Sequence, residues 1–295
     1  MPDKVTNAIG CGDQRLVKGH KTYIMGIINV TPDSFSDGGE FFDPERAIAQ
    51  GLRLITEGAD ILDVGGMSTA PHGRPITIEE ELGRVIPVIS GLRAHGITAI
   101  AVDTMRASVA NMALEMGARW INDQSAGLHD QDMVMAMSKA EGVIIMHNGG
   151  GSTSGVNAGE AVIYDDVIKT LCEFFRGRIA HLTRHGVDPD TIVIDPGVGF
   201  GKGLNDSLTI INHMDRFNDI APMSLIGLSR KSFIGKITGI DRPKDRDFAS
   251  LGAHAAAILS GAHIIRTHNV RATVDMASVL DRCLSHERAC HEDLH

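Results

Sequence analysis

The 295-residue chain reads as an α/β protein, a single-domain (β/α)8 TIM barrel, and three observations carry that reading. Short apolar, β-branched runs recur eight times between residues 22 and 268. Each is followed by a loop and then a stretch with helical spacing, the alternation that parallel strands joined by crossover helices produce. The runs are apolar almost throughout instead of alternating, as strands buried on both faces must be. A doubly wound open sheet is the alternative architecture for the same alternation.

Strands are predicted at 22–29, 60–65, 99–104, 119–123, 143–148, 191–196, 224–229 and 263–268. The first helix opens with Asp43 as N-cap and Pro44 at the first helical position; the second opens at Thr77, with acidic residues in its first turn. Further helices are predicted near 105–117, 130–141, 160–186, 205–218, 247–261 and 270–287, with a Gly/Ser-rich connection at 149–159. Residues 1–20 read as a polar N-terminal extension, 21–287 as the barrel and 288–295 as a C-terminal tail.

Composition narrows the function. A length of 295 exceeds the prior of about 150 residues per domain, but barrels of this type run to roughly 250 as one unit. The net charge of −9 argues against a chain that holds nucleic acid through a general field, while a local basic pocket for a phosphorylated small molecule stays possible. Cys11, Cys172, Cys283 and Cys290 form no CxxC pair and suggest neither a disulfide framework nor a zinc site, so a reducing cytoplasm is expected. No signal-like segment opens the chain and no apolar run approaches the roughly 20 residues that cross a bilayer, so no membrane partner is expected.

In a barrel, site groups come from the C-terminal strand ends and the loops beyond them. Those ends carry Asn29, Asp63, Asp103, Asn122, His147, Asp195, Lys231 just past the seventh strand, and Arg266 with His268. Any one alone reads as a helix cap or an Asx turn; their convergence on one rim points to an enzyme. Asp103, Asn122 and Asp195 suit the amino and ring N–H groups of a flat heterocycle, and Asn29, Arg266 and His268 suit a phosphate or its metal. The glycines of DPGVGFGKG (195–203) lack phosphate-loop spacing and serve a sharp turn equally well. SRKS (229–232) opens a helix that either holds an anion or is an ordinary helix start.

Taken together, IMGIINVTPDSFSDGG (24–39), ADILDVGGMST (59–69), AVDT (101–104), IND (121–123), MH (146–147), IDPGVGFGK (194–202), LSRKSFIG (228–235) and RTH (266–268) resemble the dihydropteroate synthase family, in order and across nearly all of 22–285. That resemblance implies a pterin-binding barrel that condenses 6-hydroxymethyl-7,8-dihydropterin diphosphate with 4-aminobenzoate. It also implies a homodimer and a Mg2+ cofactor with Asn29 as its ligand. By motif, Asp103, Asn122, Asp195 and Lys231 resemble the pterin pocket, Arg266 and His268 the diphosphate pair, and Ser232 the group receiving the aminobenzoate carboxylate. Phe35 and Asp37 match the first loop's contributors to the closed site, and Thr69 and Pro71 those of the second.

The second loop departs from the family pattern GGESTRPG. It reads GGMSTAPHG, with Met67 in place of an acidic residue and Ala70 in place of an arginine; Arg74 is a candidate replacement cation. The fifth-strand stretch MHNGGG and the eighth-strand RTHN, with Asn269 where an acid is typical, also differ. These changes bear on the second substrate. They leave open a paralogue using another arylamine, of methanopterin type, and a folate-dependent methyltransferase or non-catalytic pterin binder.

Overall fold

The eight apolar runs pair side by side, all parallel, and close on themselves. The computed structural model describes residues 8–31, 43–67, 75–149 and 162–292, with side chains to 286. A short antiparallel hairpin of β1 (Ala8–Cys11) and β2 (Gln14–Val17) comes first. The barrel strands are β3 (Tyr23–Asn29), β4 (Ile61–Gly65), β5 (Ile100–Asp103), β6 (Trp120–Asp123), β7 (Gly142–Met146), β8 (Ile192–Asp195), β9 (Met223–Gly227) and β10 (Ile264–Thr267). Each lies next to its neighbour in sequence, and β10 closes the ring by pairing Ile264 with Tyr23 of β3. All eight predicted strands are present, and the open-sheet alternative is excluded by that closing pair.

Helices α1 (Pro44–Thr56), α2 (Ile78–Ala94), α3 (Ala107–Glu115), α4 (Met133–Met137), α5 (Val167–Arg184) and α6 (Leu204–Asn212) cross over between successive strands. The crossover from β9 to β10 contains α7 (Ser232–Thr238) and α8 (Asp247–Leu259), and α9 (Val270–Glu292) follows β10. The predicted caps hold. Asp43 accepts from the Glu45 N–H at 3.0 Å, and Thr77 Oγ1 accepts from the Glu80 N–H at 3.1 Å. Two helices are shorter than their patterns suggest: α4 starts without a side-chain cap, and α6 stops where His213 leaves helical geometry for a 3-10 turn.

The core has two parts. One lies between strands and helices, where α1 buries Ala47, Ile48, Gly51 and Leu54 at helical spacing. A Cβ on Gly51 would stand 2.7 Å from Leu92 Cδ2, so glycine lets α1 approach α2. The other part fills the lower barrel with Met25, Ile61, Ala101, Trp120, Ile144, Val193 and Leu225, and the hairpin adds Ile9, Cys11 and Leu16 to it.

Residues 8–17 therefore do more than extend the chain. The Trp120 indole N–H donates to Gly10 O at 2.7 Å, the Gly12 N–H to Glu141 Oε2 at 2.8 Å, and the Val17 N–H to Tyr23 Oη at 2.6 Å. Burying Ile9 and Leu16 contributes about 1.5–3 kcal/mol each, enough to seat the hairpin as a stopper on the N-terminal end of the barrel. The opposite end, where the strands finish, remains for the site.

Candidate active site

Strand register sets the site's level. Asn29 pairs with Gly65, Gly65 with Asp103, and Asp103 with Asn122, so one rung around the rim carries three polar side chains. Asp63 lies one inward-facing position lower on β4 and is fully buried. Arg266 on β10 spans the two levels: its Nε donates to Asp63 Oδ2 at 2.6 Å and its Nη2 to Asp103 Oδ2 at 2.9 Å. Asn122 Nδ2 donates to the same Asp63 oxygen at 3.0 Å, while Gln124 Nε2 forks onto both Asp103 oxygens at 3.0 and 3.2 Å. Among the described residues, Asp63 Oδ1 is buried without a hydrogen-bond partner.

Two carboxylates share one guanidinium, and the titration of Asp103 reflects it. Burial and the Asp63 carboxylate push Asp103 up to about 7, against Arg266 and Gln124, which favour its ionised form. Burial opposes the Arg266 charge as well, but Asp63 and Asp103 more than offset that and hold it cationic.

Across the mouth, Asp195 ends β8, and its Oδ1 accepts from the Gly197 N–H at 2.8 Å. Burial raises its pKa, with Lys231 among the groups opposing the rise. The Lys231 ammonium stands 4.0 Å from the centre of the Phe200 ring; burial lowers it to about 8 although Asp195 pulls the other way. Glycine is required at 197, where φ is +68° and a Cβ would run into the His147 carbonyl.

Lys202 closes this wall. Its buried ammonium lies 3.0 Å from each of His147 Nδ1, His147 O and Phe200 O, tying the loops after β7 and β8 together. Burial lowers Lys202 to about 7, and burial with the Lys202 charge lowers His147 to about 3, so the imidazole is neutral and accepts at Nδ1.

At the start of α7, Arg230 adopts φ +63° and is braced by Asp247 through bonds of 2.6 and 2.9 Å. This turn places Ser229 Oγ 2.9 Å from His268 Nδ1 and leaves Ser232 exposed at the helix start. The feet of the second loop are gripped from α2 and from the start of α3: Arg84 donates to Gly66 O at 2.8 Å and Arg106 to Ile76 O at 2.6 Å. Buried Glu81 accepts from Thr104 Oγ1 at 2.6 Å and from Arg106 Nη1 at 2.8 Å. Met67 lines a cavity of about 210 Å3 beside this clamp, with Pro75, Met105, Arg106 and His129.

With this geometry in place, the family whose members are described as pterin binding enzymes matches residues 25–268. The dihydropteroate synthase of Synechocystis is 39% identical over 265 residues, 89% of this chain and 90% of that protein. The chain belongs to the dihydropteroate synthase family. It also spans 54% of the mitochondrial folate synthesis bifunctional protein of Arabidopsis thaliana, at 37% identity over 97% of its own length. Among solved structures, the Xanthomonas albilineans dihydropteroate synthase with 4-aminobenzoic acid superposes with a TM-score of 0.85 at 40% identity, covering 95% of this chain and 98% of that one. The same enzyme in complex with 7,8-dihydropteroate gives 0.81 at 38% identity, covering 94% and 98%.

In this member of the dihydropteroate synthase family, Asp103, Asn122, Asp195, Lys231, Arg266 and His268 lie at the C-terminal mouth of the barrel. Phe35, Asp37, Thr69 and Pro71 lie outside the described residues, as do Ala70 and Arg74.

The expectation of Mg2+ at Asn29 is corrected. Among the described residues no group of three or more His, Cys, Asp or Glu side chains could hold a metal ion. Asn29 brings one neutral amide oxygen, and the nearest rung carboxylate, Asp103, is engaged by Arg266 and Gln124. Sequence reasoning missed Gln124, Lys202 and Ser229 as site residues, and noted Asp63 only as a strand-end polar group. The spacing of Lys202 within DPGVGFGKG was its one visible signal.

Proposed function

We propose that this chain condenses 6-hydroxymethyl-7,8-dihydropterin diphosphate with 4-aminobenzoate, forming 7,8-dihydropteroate and diphosphate. The observation that carries the reading is the ring of polar groups at the mouth, buried Asn122 and Asp195 with half-buried Asp103 and Lys231. It offers acceptors for the pterin amino and ring N–H groups and a donor for the pterin carbonyl. The ligands named for the Xanthomonas enzyme, 4-aminobenzoic acid and 7,8-dihydropteroate, support the same pair of substrates.

In this mechanism the pterin lies in the barrel mouth with its exocyclic methylene toward the rim. Arg266 and His268 face the diphosphate, which leaves with the electron pair of the C–O bond. The arylamine nitrogen forms the new C–N bond and gives up a proton, and Ser232 at the start of α7 receives the carboxylate. By their match to the family's loop motifs, Phe35 and Asp37 of the first loop and Thr69 and Pro71 of the second are assigned the role of shielding the reacting carbon. Two copies pair through the outer face of α8, where Phe248 is 83% and Leu259 60% exposed. Among the described residues no helix is long and apolar enough to cross a membrane, in keeping with work in the cytoplasm.

A second reading, another arylamine in place of 4-aminobenzoate, is favoured by Met67 and Ala70 in the second loop. Diphosphate release measured with several arylamines decides between them. Release with 4-aminobenzoate, and its loss in Lys231→Ala, is the expected result; tight pterin binding without release for any amine overturns the synthase reading.

A further inference from the structure

We infer that Ser229 is a positioning residue that fixes His268 as the neutral imidazole with its proton on Nε2, so that the ring offers an N–H donor, and no positive charge, to the anion at the mouth. That the anion is the substrate's diphosphate rests on the function proposed above; the tautomer itself does not.

The hydroxyl of Ser229 has two neighbours. Its oxygen accepts from the His268 backbone N–H at 3.2 Å, and it stands 2.9 Å from His268 Nδ1. Were Nδ1 protonated, the oxygen would accept twice and its own O–H, largely buried, would have no acceptor among the described residues. With the O–H directed to Nδ1, the backbone N–H, hydroxyl and ring lone pair are all satisfied. The ring proton then resides on Nε2, to which nothing among the described residues bonds, on a residue that is half-buried at the mouth.

The surroundings agree. The charged groups facing the ring are Arg230, Arg266 and Lys231, opposed by Asp247. Asp247 is itself bound in two places by Arg230. Burial and the two arginines push His268 down to about 3, so the imidazolium is disfavoured throughout the neutral range. Arg266 supplies the fixed charge at this corner, and His268 supplies direction.

The test uses the full chain with 15N-labelled histidine, and His268→Gln assigns the ring's signals. Long-range 1H–15N spectra of the ligand-free protein are expected to show His268 with bare Nδ1 and protonated Nε2, unchanged from about pH 8 to about pH 5.5. Protonated Nδ1, or titration of the ring near pH 6.5, overturns the inference. Ser229→Thr should retain the spectrum and Ser229→Ala should lose it. In turnover, Ser229→Ala should lower kcat/KM for the pterin diphosphate roughly tenfold, with Ser229→Thr restoring it. His268→Gln, a neutral donor of similar reach, should outperform His268→Ala; equal inactivity of the two contradicts the neutral-donor role. The spectra need no substrate, so failure of the synthase reading leaves this result standing.

Discussion

Removing Asp63 tests whether the site is assembled from below. Its Oδ2 accepts from both Arg266 Nε and Asn122 Nδ2, so Asp63→Ala strips one carboxylate from a buried guanidinium and leaves the Asn122 amide unpaired. Breaking a buried ion pair by deleting one partner costs about 3–5 kcal/mol. The orphaned amide adds about 1–3 kcal/mol when it cannot reach water, though two groups on one oxygen do not add fully. The expected loss is therefore about 4–5 kcal/mol, a large part of the roughly 5–15 kcal/mol that holds a domain together. Urea unfolding reads it through the single tryptophan, Trp120, which is fully buried in the lower barrel. In Asp63→Asn the charge goes but the shape stays, and because Asp63 is one of the groups raising Asp103, the acid limb of kcat/KM should move to lower pH. A loss under about 1 kcal/mol in Asp63→Ala, with an unmoved limb in Asp63→Asn, would refute the reasoning and leave Asp103 as the only working partner of Arg266.

Two further outcomes follow from neighbouring contacts. Gln124→Leu removes the fork that favours ionised Asp103, so the acid limb should move to higher pH, with kcat/KM near pH 6.5 falling about tenfold. Circular dichroism should be unchanged, and an unmoved limb counts against the fork. Lys202→Met leaves His147 Nδ1 and His147 O without their donor, and Phe200 O with only the Gly149 N–H at 3.3 Å, and should cost about 2–3 kcal/mol. Since burial holds Lys202 near 7 in the folded chain while the unfolded chain keeps its proton to near 10.5, wild-type stability should rise as pH goes from about 7 to about 10. Urea midpoints at pH 7 and 9 should show that slope in the wild type and a smaller one in the variant, where Lys231, lowered to about 8, still contributes.

The barrel was legible because strands buried on both faces are apolar along most of their length, a pattern that β7 shows without a break and that β4 and β8 break only at Asp63 and Asp195. The hairpin was not. Its strands have four residues each, and while β1 alternates buried with less buried positions, β2 buries only Leu16, so too few residues repeat for a period to emerge. The rim polar groups stood out because Asp103, Asn122 and Asp195 interrupt apolar runs. Gln124, Lys202 and Ser229 act through contacts made across the barrel, which no local pattern records. The metal expectation failed for a related reason: an asparagine after a strand looks the same in sequence whether or not carboxylates are free beside it.

The stopper under the barrel has a consequence for traffic. With Ile9 and Leu16 seated against Trp120, the barrel is a cul-de-sac with one doorway, and whatever goes in first lies deepest. On the proposed reading, the pterin ring must arrive before the arylamine that stands above it. Diphosphate must depart through the entrance it shares with the incoming amine, and the finished product must back out whole. A hairpin at the far end from the chemistry thereby imposes an itinerary on the substrates.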